Sequence, residues 1–427
     1  MNALIIFIIL TVLMLTGMPI SISLGLTVLS FLFTMTHVPL ESVALKLFTG
    51  IEKFEIMAIP FFILAGNFLT HGGVAKRMIN FATSMVGHWA GGLGLAGVLA
   101  CALFAAVSGS SPATVVAIGS ILLPAMVKAG FPNKFGAGVI TTSGALGILI
   151  PPSIVMVMYS VATNTSVGAL FMAGVIPGIV LASVLAGVTW YRAKKFNYPR
   201  MVKATWGERW QAFRRSVWGL LLIVIVMGGI YSGIFTPTEA AAISAVYAFI
   251  VAVFVYKDMG LKDVPKVLLN SANMSAMLLY IITNAVLFSF VLTSENIPQT
   301  LAEWMLGYGM GPIVFLIAVN LILLLAGNFM EPSSIVLIFA PLLFPVAMKL
   351  GIHPVHFGII MVVNMEVGMC HPPVGLNLYV ASGITKMGIT ELTVAVWPWL
   401  LSMLAFLLLV TYWPTLSLWL PRMLGML

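Results

Sequence analysis

Most of the side chains able to do chemistry in this sequence sit at four short interruptions of apolar chain. Ser108-Gly109-Ser110-Ser111-Pro112 offers hydroxyl and carbonyl oxygens, and Asn328-Phe329-Met330-Glu331-Pro332 offers an amide and a carboxylate. Two further segments end in paired prolines: Thr141-Thr142-Ser143-Gly144 runs on through Gly147 to Pro151-Pro152, and Asn364 runs on through Gly368 and Met369 to His371-Pro372-Pro373. Proline removes an amide donor and clashes with the preceding turn. Glycine loosens the backbone. Together they free carbonyl oxygens, and hard cations such as Na⁺ are held by oxygen ligands. A first cation shell is therefore expected from Ser108, Gly109, Ser110, Thr141, Thr142, Gly144 and Gly147. A second is expected from Asn328, Asn364, Gly368 and Met369, with Ser333 close by.

Helices beginning at Pro112 and Pro332 would aim their positive dipole ends at a substrate carboxylate. Ser110, Ser111, Pro152, Glu331, His371 and Pro373 are the residues placed to surround it. Glu331 and Glu366 are the acids set within apolar stretches. An ionised side chain near a bilayer centre costs on the order of 3 kcal/mol, so such a residue usually has a functional reason. Cation coordination or anchoring of a helix tip is one reading. A protonated or backbone-bonded structural carboxyl is the other. His371 suits substrate binding or proton sensing, although a histidine beside a kink is more often simply hydrogen-bonded.

These breaks need a frame of helices. The chain has 427 residues, 61% hydrophobic and 7% charged, with a mean hydropathy of +1.12. Soluble domains carry roughly a quarter charged residues, so the solvent over most of this surface must be lipid. Apolar runs fall at 1–17, 19–36, 54–70, 88–107, 113–127, 135–161 and 169–190, then at 216–234, 239–256, 272–293, 311–327, 333–348, 355–385 and 390–417. Between the two sets, 191–215 reads as a basic cytoplasmic linker with eight Lys or Arg. Placing it inside and alternating outward leaves 16 basic residues inside against Lys46, Lys53, Lys349 and Arg422 outside. That bias follows the positive-inside rule and puts both termini on the outer, periplasmic side.

The halves 1–190 and 216–427 repeat. Ser111-Pro112 precedes Glu331-Pro332 by 220 residues, and Gly147, Pro151, Pro152 and Pro177 precede Gly368, Pro372, Pro373 and Pro398 by 221. The first half starts outside and the second inside. Inverted repeats with broken helices are the mark of secondary transporters, whose sites lie at the breaks near the bilayer midplane. Kinks and small residues also serve helix packing, but matched breaks in two halves favour a transport site.

Several classes drop out. Both aspartates, Asp258 and Asp263, sit in a basic loop, so no intramembrane aspartyl dyad exists. There is no phosphate-cradling P-loop and no HExxH zinc motif. The start lacks a basic n-region and a cleavage site, so it reads as a retained span. Cys101 and Cys370 both lie in apolar segments and imply no disulfide framework. The few, scattered basic residues make no nucleic-acid patch. An intramembrane serine hydrolase using Ser108 or Ser110 with His371 would need those side chains within hydrogen-bond reach, and it leaves the repeat unexplained.

Across SGSSPAT (108–114), GALGILIPPS (144–153), GNFMEPS (327–333) and PPVGLN (372–377), the chain resembles the large membrane subunit of the tripartite ATP-independent periplasmic (TRAP) transporters, of the ion-transporter superfamily. AIPFF (58–62) and TPTEA (236–240) carry the resemblance toward both ends. It implies an all-α polytopic membrane protein of about ten full spans with two re-entrant helical hairpins, 88–127 and 311–348. Scaffold helices at 1–70 and 216–293 would stand beside a transport part with broken helices at 135–161 and 355–385, moving as an elevator. It further implies two or more co-transported Na⁺ ions, a small four-helix membrane subunit and a periplasmic substrate-binding protein, all at a bacterial inner membrane. The wording of the motifs is closest to the C4-dicarboxylate members. A lone Na⁺/dicarboxylate symporter needing no binding protein is the alternative. One departure stands out: the family usually has Thr before Pro-Pro-Val-Gly, and here it is His371.

Overall fold

Long apolar runs punctuated by Gly and Pro must satisfy their backbone groups internally, which in lipid leaves helices or closed barrels. A computed structural model describes residues 2–36, 39–309 and 311–427, and among these residues the secondary structure is helical. Met1, the first residue of the expected span 1–17, lies outside the described residues. The first half comprises α1 (Asn2–Leu15), α2 (Ile20–Met35), α3 (Leu40–Thr49), α4 (Ala58–His71), α5 (Val74–Val86), α6 (Gly92–Ser108), α7 (Ser111–Lys128), α8 (Asn133–Gly144), α9 (Ile154–Thr163) and α10 (Val167–Lys195). The second comprises α11 (Trp206–Tyr231), α12 (Pro237–Ile250), α13 (Val264–Ser294), α14 (Ile297–Gly307), α15 (Pro312–Gly327), α16 (Pro332–Lys349), α17 (Pro354–Cys370), α18 (Leu376–Thr385), α19 (Ile389–Tyr412) and α20 (Thr415–Met423).

Eight helical segments among the described residues are long and apolar enough to cross a membrane, and six shorter apolar helices accompany them. The short ones include α6, α9, α15 and α17. At 1.5 Å per residue, the 17 residues of α6 rise about 25 Å, less than a hydrocarbon core of about 30 Å. Helices of this length fit arms that turn back, or halves of a broken span.

Three expectations need adjustment. The segment read as a linker, 191–215, is mostly helix: α10 runs to Lys195 and α11 starts at Trp206, leaving 196–205 as the connection. Thr205 and Glu208 explain the early start. The Thr205 hydroxyl accepts the Glu208 N–H at 3.3 Å and the Glu208 carboxylate accepts the Thr205 N–H at 2.7 Å, a reciprocal cap. The stretch between the expected runs 54–70 and 88–107 is not a loop: Lys76 and Arg77 lie there on α5, where Arg77 pairs with Asp258 and stacks over Tyr256 at 3.8 Å. The final run, 390–417, is divided by Trp413-Pro414 into α19 and α20.

The packing converges on the two proline breaks. Helix α4 lies on α12, α5 on α6, and α16 on α9, while α8 sits between α7 and α19. Every residue from Phe135 to Gly144 of α8 is buried, as is every residue from Val355 to Cys370 of α17. A helix apolar all round is one enclosed by others. These two enclosed helices lead into the breaks.

Candidate functional site

The first break is built by chain that cannot stay helical. Helix α6 ends at Ser108, Gly109 turns in the left-handed region at φ 60°, and α7 restarts at Ser111 with Pro112 in its first turn. Proline is favoured there because its missing N–H would be unpaired anyway. Three oxygens gather at this tip. The Ser108 hydroxyl lies 3.0 Å from the Thr114 hydroxyl, and the Ser110 carbonyl accepts from Thr114 at 2.8 Å and from Ser108 at 3.4 Å. Opposite it, α8 tightens into a 3₁₀ turn at Ala145–Ile148 and the chain breaks at Pro151-Pro152, a cis peptide, before Ser153 caps α9.

Gly147 holds tip and broken helix together. A β-carbon there would stand 2.6 Å from the Ser110 carbonyl group and 2.7 Å from the Ser111 nitrogen. The Pro152 carbonyl in turn lies 2.8 Å from where a β-carbon of Gly109 would be. Ser108, Gly109, Ser110, Ser111, Gly147 and Pro152 therefore share one site. The hydroxyls of Thr141 and Thr142 donate their protons within their own helix. They bond back to the carbonyls of Ala137 and Gly138, at 2.7 and 2.8 Å. Gly144 is packed against Val115.

The second break repeats this plan with other side chains. Helix α15 ends at Gly327, and α16 begins at Pro332 with Glu331 as its cap. A β-carbon on Gly368 would lie 2.9 Å from the Gly327 Cα, so this glycine too is where tip and broken helix meet. Nδ1 of His371 lies 2.9 Å from the Asn328 amide. In the amide orientation that satisfies both groups, Asn328 Nδ2 also faces the carbonyls of Pro372 at 3.2 Å and His371 at 3.3 Å. Pro372-Pro373 is the second cis peptide. Pro373 is exposed and His371 half-buried, whereas Met369 is buried. His371 turns to Asn328 and the Ser108 hydroxyl to Thr114, which is not the Ser–His pairing a hydrolase would use.

Asn377, a residue of the PPVGLN segment given no role from sequence, joins the two halves. Fully buried at the start of α18, it donates to the Ser111 hydroxyl at 2.8 Å and to the Thr141 carbonyl at 3.3 Å, and accepts from Ser111 at 3.1 Å. Cys370 adds a thiol contact to the same Thr141 carbonyl at 3.5 Å. Tip one thus meets break two, which meets tip two through His371 and Asn328.

Glu331 serves its own helix. One carboxylate oxygen accepts the Ser334 N–H at 3.2 Å and the Ser334 hydroxyl at 3.1 Å. Glu331→Gln keeps that acceptor and is expected to melt as the wild type does. Glu331→Ala is expected to lose about 1 kcal/mol; equal melting temperatures for the alanine variant and the wild type would contradict the capping role.

Asn364 and Glu366 take opposite faces of α17, as two residues at 100° each require. Asn364 Nδ2 donates to Asn320 Oδ1 of α15 at 2.8 Å, and Asn320 passes the chain to Thr411 of α19 at 3.1 Å. Glu366 turns away, on the side from which Cys370 reaches Thr141. Both its oxygens, Asn364 Oδ1 and the Ser143 hydroxyl are buried without a hydrogen-bond partner. Native interiors leave few such groups. Buried oxygens of this kind, an amide, a hydroxyl and a carboxylate, are the ligand types of a hard cation.

Comparison with known proteins fits this geometry. The family described as "Tripartite ATP-independent periplasmic transporter, DctM component" matches residues 7–416. A C4-dicarboxylate TRAP transporter large permease protein of Rhodobacter capsulatus is 76% identical, over 100% of both chains. The protein of the same description in Pseudomonas aeruginosa is 55% identical over 95% of each. A sialic acid TRAP large permease of Vibrio cholerae is 36% identical over 96% of each. Among solved structures, the Alcanivorax borkumensis YdaH transporter has a similar fold, with a TM-score of 0.63 at 16% identity over 90% of this chain and 88% of its own. The chain is accordingly a multi-pass membrane permease subunit and not an enzyme; it belongs to the DctM component family of the tripartite ATP-independent periplasmic transporters.

Proposed function

We propose that this subunit imports a C4-dicarboxylate together with Na⁺, at a site made by the two tips and the two breaks. One observation carries the reading: Asn377 ties the Ser111 hydroxyl of one tip to the broken helix of the first half from the broken helix of the second. A substrate enclosed there is held by both halves at once. The starts of α7 and α16 supply unpaired N–H groups suited to carboxylates, with Ser110, Pro112, Glu331, His371 and Pro373 at least partly accessible. Ser108, Ser110 and Thr114 supply a first Na⁺ ligand set, and the Gly368–Pro372 carbonyls with Asn328 a second. His371, in place of the Thr usual before Pro-Pro-Val-Gly, gives the second set an imidazole instead of a hydroxyl.

The substrate class rests on the relatives, two of which are described as C4-dicarboxylate permeases at 76% and 55% identity. The small four-helix subunit and the periplasmic binding protein rest on the tripartite family. An elevator motion of the tips and broken helices against α1–α4 and α11–α13 rests on the inverted repeat, with both termini periplasmic at an inner membrane. Reconstitution separates this reading from a lone symporter. Radiolabelled succinate should enter vesicles holding this chain and its small subunit only when the binding protein is added. Equal uptake by this chain alone would establish the lone symporter instead.

A further inference from the structure

We propose that a groove along α6, α10 and α11 binds one anionic phospholipid, with the acyl part inside and the headgroup at a basic end. The groove encloses about 880 Å³, passes Ala106 and Pro151, and ends at Tyr231 and Leu424. Its other end is at Val86 and Trp89. Helix α6 lines it from Leu95 to Ala106. That stretch is about 16 Å and the α10 lining from Met172 to Ala186 about 21 Å at 1.5 Å per residue, so the groove runs through one leaflet of a core of about 30 Å and somewhat beyond its middle.

Along α10 the lining residues Val175, Ile179, Ala182 and Ala186 recur at helical spacing. The same stripe continues to Trp190 and Lys194, whose ammonium lies 5.1 Å over the Trp190 ring. At the same end, the Met201 N–H donates to the Gly87 carbonyl at 3.0 Å, which brings the Arg200–Lys203 segment against Val86 and Trp89. Residues 192–203 carry five basic side chains and no acidic one. Aliphatic, then tryptophan, then Lys and Arg is the order of a leaflet from tails to anionic surface. The assignment does not depend on the transport reading: the groove meets that site only at Pro151, and the basic end at 190–203 lies outside it.

Native mass spectrometry of the purified full chain, exchanged into detergent with equal phosphatidylglycerol and phosphatidylcholine, tests it. The wild type should retain one phosphatidylglycerol at about tenfold preference or more. Filling the groove with Ala102→Phe and Ala186→Phe should remove that lipid from protein that still elutes as folded. Should that variant fail to fold, Lys194→Gln with Arg200→Gln and Lys203→Gln decides: one lipid stays bound and the preference falls to near parity. Equal retention of both lipids by the wild type would overturn the proposal. So would a folded, groove-filled variant that keeps the lipid, a headgroup variant that keeps its preference, or a photo-crosslinker at Ala102 that captures protein in place of lipid.

Discussion

Gly147→Ala is expected to lower the initial rate of dicarboxylate uptake about 10- to 100-fold, and Gly368→Ala to do the same. The added methyl at 147 would stand 2.6 Å from the Ser110 carbonyl group, and that at 368 would stand 2.9 Å from the Gly327 Cα. Neither obstacle is a side chain that can swing aside. The tip itself must retreat from the broken helix. Overpacking of this kind costs about 1–3 kcal/mol, and each 1.4 kcal/mol is a factor of ten. Because both glycines touch a tip, the cost falls on the position of the site more than on the fold. Uptake should drop further than the melting temperature does. Wild-type rates in either alanine variant would show that the contact does not matter to transport.

The second large effect is expected at Asn377. Its replacement by Ala leaves the Ser111 hydroxyl without the two bonds it shares with the amide, and takes one donor from the Thr141 carbonyl. An unsatisfied buried group costs about 1–3 kcal/mol, so uptake should fall about 5- to 100-fold. Ser111→Ala breaks the same link. The double variant should therefore be little worse than either single one, because contacting residues do not act additively. Measured rates that multiply, as if the two sites were independent, would remove Asn377 from the account.

What the sequence could and could not reveal follows from the range of each interaction. Helix starts at Pro112 and Pro332 and breaks at the two Pro-Pro pairs are local, since proline acts on its own turn. All four appear in the structure where the prolines stand. The Thr205–Glu208 cap was equally local, a T-x-x-E pattern at the head of α11 that outweighs the charge of the segment around it. Helices α3 and α5 mix apolar and charged residues, so a search for unbroken apolar runs passes over them.

Side-chain roles were less legible because they depend on which helix lies opposite. Thr141 and Thr142 look like cation ligands in sequence, yet their hydroxyls return to their own helix and only the Thr141 carbonyl reaches the second half. Thr114 and Asn377, both within recognisable motifs, gain their roles from partners 6 and 266 residues away. Asn364 and Glu366 are near neighbours in sequence, but helical rotation sends them to opposite faces of α17.

The central claim is that Na⁺ drives entry of a dianion through this site, and the stoichiometry gives it a sign. Each charge crossing 100 mV exchanges about 2.3 kcal/mol, so a dianion accompanied by more than two Na⁺ carries net positive charge inward. The direct measurement is succinate uptake into vesicles containing this chain with its small subunit and binding protein, under a Na⁺ gradient and an imposed potential. Uptake should be absent without Na⁺ and should rise when the interior is made negative. Uptake that persists when K⁺ replaces Na⁺, or that ignores the potential, would contradict the account.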